Sequence, residues 1–417
     1  MRVAVLGAGL IGTMTAYYLT CIGHEVVVID RQDDVGLEAS FANGALLTPS
    51  TSDSWAAPGT PRKILKWLGR EDAPMLLRPG ALPGLMGWGL KFLANCRAAR
   101  WRENTEAVLA LALDSMEALH ALLGETAIEF DRNRPGLLKL FRDDMSMESA
   151  RRAGELYAKL GIDARLLDSR QCVEIEPALA PIGEKISGGL FYPNDESGDA
   201  WTFVKAAAEL CRARGAAFQL GTRVEGFATK QRSIAAVETD RGPVKADCFV
   251  LALGSDSPVV ARRLGLALPI YPAKGYSITV EAAGWNKGPR IPIADDGRKM
   301  AVTPLGSRLR VAGTVEFAGY DTSLNAIRGQ MLVDGLGAIL PDYPRDAPVR
   351  HWAGLRPLTP DGRPLMGATR WGNLYVNSGH GPLGWTLACG AGRAMAELID
   401  GQAPRIDLRP FSPDRRL

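Results

Sequence analysis

Histidine is scarce in this sequence, with four in 417 residues: His24, His120, His351 and His380. None pairs with another at metal-binding spacing, and no H-E-x-x-H segment occurs, so no metal site is expected. The six cysteines are scattered, without a C-x-x-C pair. That excludes a zinc ribbon and argues against a disulfide framework. A reducing, cytoplasmic setting is expected. An excess of either charge is also missing: 49 Lys and Arg against 46 Asp and Glu leave +3. With no dense basic block, nucleic acid is not an expected partner. No apolar run reaches the roughly 18 residues of a membrane span. The first residues, "MRVAVLGAGLIG", enter a strand and a glycine turn instead of a cleavable apolar leader. Internal repeats and low-complexity segments are lacking too.

What is present is ordinary globular composition, 46% apolar and 23% charged. At roughly 100–200 residues per domain, this length suggests two or three domains. "VAVL" at 3–6 has the apolar, β-branched character of a buried parallel strand. Helical spacing follows over 10–22, Gly23 stops it, and "EVVVID" at 25–30 is a second buried strand. This unit implies a parallel sheet with a right-handed crossover.

Its turn, "GAGLIG", sets Gly7, Gly9 and Gly12 in G-x-G-x-x-G. Gly7 permits the tight turn, Gly9 admits a pyrophosphate, and Gly12 lets helix and strand pack closely. The helix N-terminus offers free N–H groups and partial positive charge to phosphate. Asp30 ends the second strand, where an acid can bind ribose hydroxyls. With all these parts in place a dinucleotide site is expected, although the fingerprint does not separate NAD from FAD.

After a loop over 38–59, the segment 61–123 is helical but broken by glycines and prolines. "AIEFDRNRPGLLKLFRD" has the pattern of a strand pair around a Pro-Gly turn. Helices are predicted over 144–160, 201–214 and 384–399, and "SGGLFYPNDESGDAW" is turn-rich. "AAFQLGTRVEGF", "SIAAVETD" and "ADCFVLALG" are strand candidates. "LPIYPAKGYSITVEA" and "RLRVAGTVEF" look like half-buried strands of a second sheet. "GLRPLTPDGRPLMG" at 354–367 has the chemistry of a stiff, turn-rich loop. In "VNSGHGPLGWTLACGAG", Gly379, Gly381 and Gly384 free the backbone before the last helix, an arrangement able to offer N–H donors to an anion.

Together, "VIDR", "ANGALLTP…WAAPG", "NDESGD", "YPAKGYS", "GLRPLTPDGRPLMG" and "NSGHGPLGWTLACG" resemble the flavin-dependent D-amino acid oxidase superfamily. That superfamily includes glycine and sarcosine oxidases, and the likeness is greatest to its bacterial D-amino acid dehydrogenases. The resemblance implies α/β plus α+β architecture: a Rossmann-like FAD-binding domain (1–60, 145–262 and 345–417) and a discontinuous substrate domain on a mixed antiparallel sheet (61–144 and 263–344). It implies FAD held by Gly7, Gly9, Leu10, Ile11 and Gly12 at the pyrophosphate, and by Asp30, Arg31 and the Val224 backbone at the adenosine end. Ser40, Asn43 and Gly44 belong to the loop near pyrophosphate and flavin, and Gly254 to the strand beneath the nucleotide. Gly379, His380, Gly381, Leu383, Gly384, Trp385 and Thr386 would cradle the isoalloxazine. Some relatives attach flavin to a cysteine in the C-terminal loop; here that loop has none, so non-covalent FAD is expected.

The expected reaction is oxidation of free D-amino acids to 2-oxo acids and ammonia, by hydride transfer from Cα to flavin N5. A quinone or other respiratory acceptor takes the electrons. Arg356 would grip the substrate carboxylate, a task suited to the planar guanidinium. Tyr271 and Tyr276 are expected at the same pocket, Lys274 near the flavin, and Trp55 as a closing residue. Glycine, sarcosine, D-proline or hydroxyproline as substrates, an NAD-dependent dehydrogenase, and an electron-passing subunit without catalysis remain open. "PRKILKWLGRE" and "LPGLMGWGLKFLANC" mix basic and apolar residues at helical spacing, so peripheral contact with the cytoplasmic face of the inner membrane stays open as well.

Overall fold

A computed structural model describes residues 1–417, apart from the side chains of residues 149, 153 and 156. Two sheets organise the chain. The first has six strands in the order Leu365–Ala368, Leu374–Ser378, Cys248–Leu251, Arg2–Leu6, Glu25–Ile29, Ala217–Gln219. All neighbours are parallel except the Leu365–Ala368 edge strand. Its central strands are apolar on both faces because both are covered, one by helices and the other by the hairpin Val224–Lys230/Ser233–Thr239 with the short helix Ser257–Ala261. Leu10–Cys21 and Gly384–Ile399 share one core with Val3, Val5 and Val26, while Leu6, Val27 and Phe249 face another.

The 28-residue helix Ala98–Glu125 is long and apolar enough to cross a membrane by length and composition alone. Half of its apolar window is buried in the protein. Val108, Leu111, Ala112 and Leu119 pack into the same core as Gly384–Ile399. The Gly390 N–H donates to Ser115 Oγ at 3.0 Å, and a Cβ on Gly390 would come within 2.9 Å of Ser115. Its apolar character serves helix packing.

The second sheet is mixed and has nine strands, in the order Val349–Leu358, Tyr271–Glu281, Arg308–Phe317, Met300–Leu305, Ile293–Asp295, Leu137–Phe141, Gly188–Tyr192, Arg165–Asp168, with Met75–Leu77 added beside Arg308–Phe317. One face carries Tyr276, Ile278, Val280, Val302 and Val311 into a core with Leu332 and Leu336. The other face looks toward the parallel sheet.

Several expectations change. The segment 354–367 is largely strand: Gly354–Leu358 finishes the edge strand, and Leu365–Ala368 begins the edge of the parallel sheet. Pro357 is tolerated because it lies at the sheet edge opposite Pro272, a pair in which neither residue needs to donate an N–H. The pair expected in "AIEFDRNRPGLLKLFRD" does not form. Leu137–Phe141 is already bonded on both sides, by Gly188–Tyr192 and Ile293–Asp295, so Asn133 bridges to Ser197 instead. Turn-rich "SGGLFYPNDESGDAW" contains the strand Gly188–Tyr192. By hydrogen bonding, Arg165–Asp168, Gly188–Tyr192 and Val349–Leu358 join the mixed sheet, whereas Ala98–Glu125 packs beside the parallel one.

Candidate active site

Between the two sheets lies a cavity of about 1110 Å³. At one end it is lined by Gly7, Gly9, Leu10 and Ile11. Gly7 has φ 114°, and a Cβ there would sit 2.4 Å from Ala252 O, so the turn admits only glycine. Gly12 does not line the cavity; a Cβ on it would strike Gly7 O, as its expected packing role requires. Gly9 is different. Its φ is −77° and a Cβ would meet only Ser40 Oγ, at 3.5 Å. Nothing in the protein itself demands glycine at Gly9, and its bare backbone leaves room for a ligand to approach closely.

Asp30 and Arg31 line the same end, with Val224 and Gly254. Asp30 accepts from Ala8 N at 2.7 Å and Gln32 N at 2.9 Å, tying the strand end to the glycine turn. Burial raises its pKa against those bonds. Arg31 pairs with Glu38 at 2.8 Å and Asp256 at 3.0 Å. Ser40 Oγ accepts from Leu10 N at 3.1 Å.

The segment carrying Asn43 and Gly44 is stitched to the mixed sheet. Ser277 Oγ donates to Ala42 O at 2.6 Å, Arg310 to Asn43 O at 2.9 Å, and Thr303 Oγ1 to Gly44 O at 2.9 Å. Opposite, Gly379, His380, Gly381, Leu383, Gly384, Trp385 and Thr386 line the cavity where the last helix begins. Gly379 and Gly381 have φ 83° and 56°. Thr386 Oγ1 accepts from Thr48 N at 3.1 Å, and Trp385 is anchored behind the wall by Gly198 O at 3.0 Å. His380 is 3% exposed and its Nε2 has no partner; burial lowers its pKa to about 3, so the ring is neutral.

Two helices, Leu10–Cys21 and Gly384–Ile399, thus open on one cavity; neither N-cap residue bonds its helix with a side chain, and only the Leu10 N–H is taken, by Ser40 Oγ. Free N–H groups and helix dipoles there suit phosphates and an electron-rich ring system. The room at the Gly9 backbone, these helix starts and the neutral His380 fit FAD.

Arg356 lies on the cavity wall, its Nη1 donating to Thr314 O at 3.2 Å. Among the described residues no carboxylate pairs with it, and burial lowers its pKa to about 10. Gly275 makes room: a Cβ there would lie 2.2 Å from the guanidinium carbon.

The tyrosines are not brought to it. Ala273 pairs with Arg356, and Ser277, four residues on, reaches the Ala42 carbonyl, so odd-numbered residues of this strand face the cavity. Tyr276 is part of the cavity lining, but its side chain packs into the far core and its hydroxyl donates to Glu316. Lys274 shares that far face, pairing with Asp321 at 2.8 Å and Glu316 at 3.6 Å. Tyr271 has the right parity but packs against Trp88 and Phe317, outside the cavity lining. Trp55 lines the cavity and is 40% exposed. Missed by the sequence reading were Gly275, Thr314 and the Glu316 cluster; glycine inside an apolar strand pattern was the available signal for the first.

Comparison with known proteins agrees with this geometry. A family model described as "FAD dependent oxidoreductase" matches residues 2–398. A D-amino acid dehydrogenase from Paramagnetospirillum magneticum is 44% identical over 416 residues, covering 100% of this chain and 99% of the relative. One from Agrobacterium fabrum is 42% identical over 415 residues, covering 100% and 99%. Among solved structures, L-proline dehydrogenase from P. horikoshii superposes with TM-score 0.78 at 20% identity, covering 99% of this chain and 96% of that one. Glycine oxidase from Geobacillus kaustophilus gives 0.77 at 24%, covering 100% and 99%. At those identities the solved structures speak to fold alone. The family match across nearly the whole length, on top of a cavity shaped for a dinucleotide, establishes that this chain belongs to the FAD-dependent oxidoreductases, with FAD as its cofactor.

Proposed function

We propose that this flavoenzyme oxidises free D-amino acids to 2-oxo acids and ammonia and delivers the electrons to an acceptor other than oxygen. One observation carries the substrate assignment: Arg356, a guanidinium without a carboxylate partner, on the wall of the cofactor cavity. A desolvated cation of this kind is stabilised by an incoming anion, and its planar fork suits a carboxylate. The whole-length relatives named D-amino acid dehydrogenase supply the rest.

FAD, when bound, supplies the two-electron acceptor for the hydrogen on the substrate Cα. The protein's part is positioning. Arg356 holds the carboxylate, steadied by Thr314 O and given space by Gly275. Trp88, Phe317 and Leu358 form an apolar stretch of the wall nearby that excludes water. FAD is proposed to be non-covalent: Cys389 lies inside Gly384–Ile399, and burial pushes its thiol up to about 12, far from the reactive thiolate.

The acceptor is proposed to be a quinone met at an anionic lipid surface. Helices Thr60–Trp67 and Leu82–Asn95 line the cavity with Ile64, Trp67, Leu85 and Trp88. Outward they expose Leu65, Met86 and Leu90, at 70%, 67% and 70%, beside Lys63, Lys66 and Lys91. Apolar residues framed by cations match such an interface.

The test is anaerobic mixing of purified enzyme with D- and L-amino acids, glycine, sarcosine and D-proline, followed by flavin absorbance. Bleaching by D-amino acids ahead of the others is expected. Preferential bleaching by glycine, sarcosine or D-proline would move the substrate, and no bleaching at all would leave an electron-passing subunit.

A further inference from the structure

We infer that Thr314 is a substrate-contacting residue, whose hydroxyl joins Arg356 in binding the carboxylate. The register between Tyr271–Glu281 and Arg308–Phe317 pairs Gly275 with Val315 and Tyr276 with Gly313, leaving Thr314 as the extra residue of a β-bulge. It sits at φ 56°. A β-branched residue in the left-handed region is strained, and glycine would occupy the position at lower cost. The hydroxyl adds a second unfavourable feature: Thr314 is 8% exposed and its Oγ1 has no partner. Both features fall in the residue whose carbonyl holds the Arg356 guanidinium, and both residues line the cavity.

A bulge re-aims side chains that a regular strand would send elsewhere. Here it turns the Thr314 carbonyl to the arginine, while the side-chain hydroxyl is left without a partner. The orphaned hydroxyl is explained if an anion bound at Arg356 accepts its hydrogen. A carboxylate has lone pairs to spare after accepting two bonds from a guanidinium. The same residue then performs two tasks: its carbonyl orients the clamp, and its side chain completes it. Strain is retained because a glycine would keep the first task and lose the second.

This inference rests on Arg356 being the carboxylate clamp, and the test separates the two claims. FAD-loaded enzyme is titrated calorimetrically with propionate, which has a carboxylate but no amino group to oxidise, and KM and kcat are measured with D-alanine. Thr314→Val and Thr314→Gly should each weaken propionate and raise KM by roughly tenfold, the scale of one charge-assisted hydrogen bond. kcat should change less. Thr314→Ser, which keeps the hydroxyl, should bind near the wild-type level. Thr314→Gly relieves the strain, so it reports on the hydroxyl even if the valine variant folds poorly. Wild-type propionate affinity in Thr314→Gly, or failure of Thr314→Ser to restore binding, would overturn the inference while leaving the clamp intact. Unchanged propionate binding in Arg356→Lys and Arg356→Ala would instead remove the clamp, and the inference with it.

Discussion

At the scale of single residues, parity along one strand decides which side chains share the cavity face with Arg356. Arg356 and Tyr276 were expected together, but Tyr276 lies on the opposite face, its hydroxyl against Glu316. The spacing of "YPAKGYS" already held the answer. Tyr271 and Tyr276 are five apart, and successive residues of a strand alternate faces, so one continuous strand cannot aim both at the same side. Replacing Arg356 by Ala should reduce kcat/KM by several kcal/mol, as when one member of a desolvated charge pair is deleted. Steady-state kinetics with D-alanine check this. Tyr276→Phe should behave in the opposite way. It leaves a buried Glu316 oxygen short of a donor, costing about 1–3 kcal/mol of stability, while KM stays near wild type. Denaturant melts and kinetics on the same preparation distinguish the two outcomes.

Secondary-structure elements were legible wherever periodicity was strong. The last helix falls on the expected 384–399, and the opening strand–helix–strand unit is as its apolar spacing requires. Turn chemistry misled at 354–367, because prolines and glycines also occur on edge strands, where a missing N–H harms no ladder. Whether a strand lies at an edge depends on partners far away in the chain. The same holds for the amphipathic helices Thr60–Trp67 and Leu82–Asn95: spacing marks two faces, but only packing shows that the inner one lines the cavity. Leu65→Glu combined with Leu90→Glu should abolish cosedimentation with vesicles containing anionic lipid, while turnover with a soluble dye acceptor continues. Vesicle binding equal to that of the unchanged protein would end the lipid-surface proposal.

For the molecule as a whole, cofactor and stability are linked. A ligand that binds only the folded chain stabilises it by mass action, so FAD-depleted protein should melt at a lower temperature and recover on adding FAD. Acid precipitation should leave the pellet colourless and the supernatant yellow; a yellow pellet would mean covalent flavin. Stability should also depend on pH through Asp195, which is buried against Ser50. Burial pushes its carboxyl up to about 7, despite the bonds from Ser50 that lower it. An unfolded aspartate ionises near pH 4. Between those values the unfolded chain gives up a proton that the folded chain keeps, so stability falls as pH rises through this window and levels off above it. Asp195→Asn should flatten that slope, as read from denaturant midpoints between pH 4 and 8.

The nucleotide-binding unit and the last helix follow from local pattern. Each depends on neighbours within a few turns or strand residues: glycines at a turn and apolar spacing. The tertiary structure alone decides that Arg356 lacks a carboxylate partner, that Gly275 clears its space, that Tyr276 and Lys274 turn away, and that Thr314 is squeezed into a bulge beside it. These properties belong to pairings between residues about 40 to 80 positions apart, set by sheet register and by what covers each face, and no local window of sequence contains them.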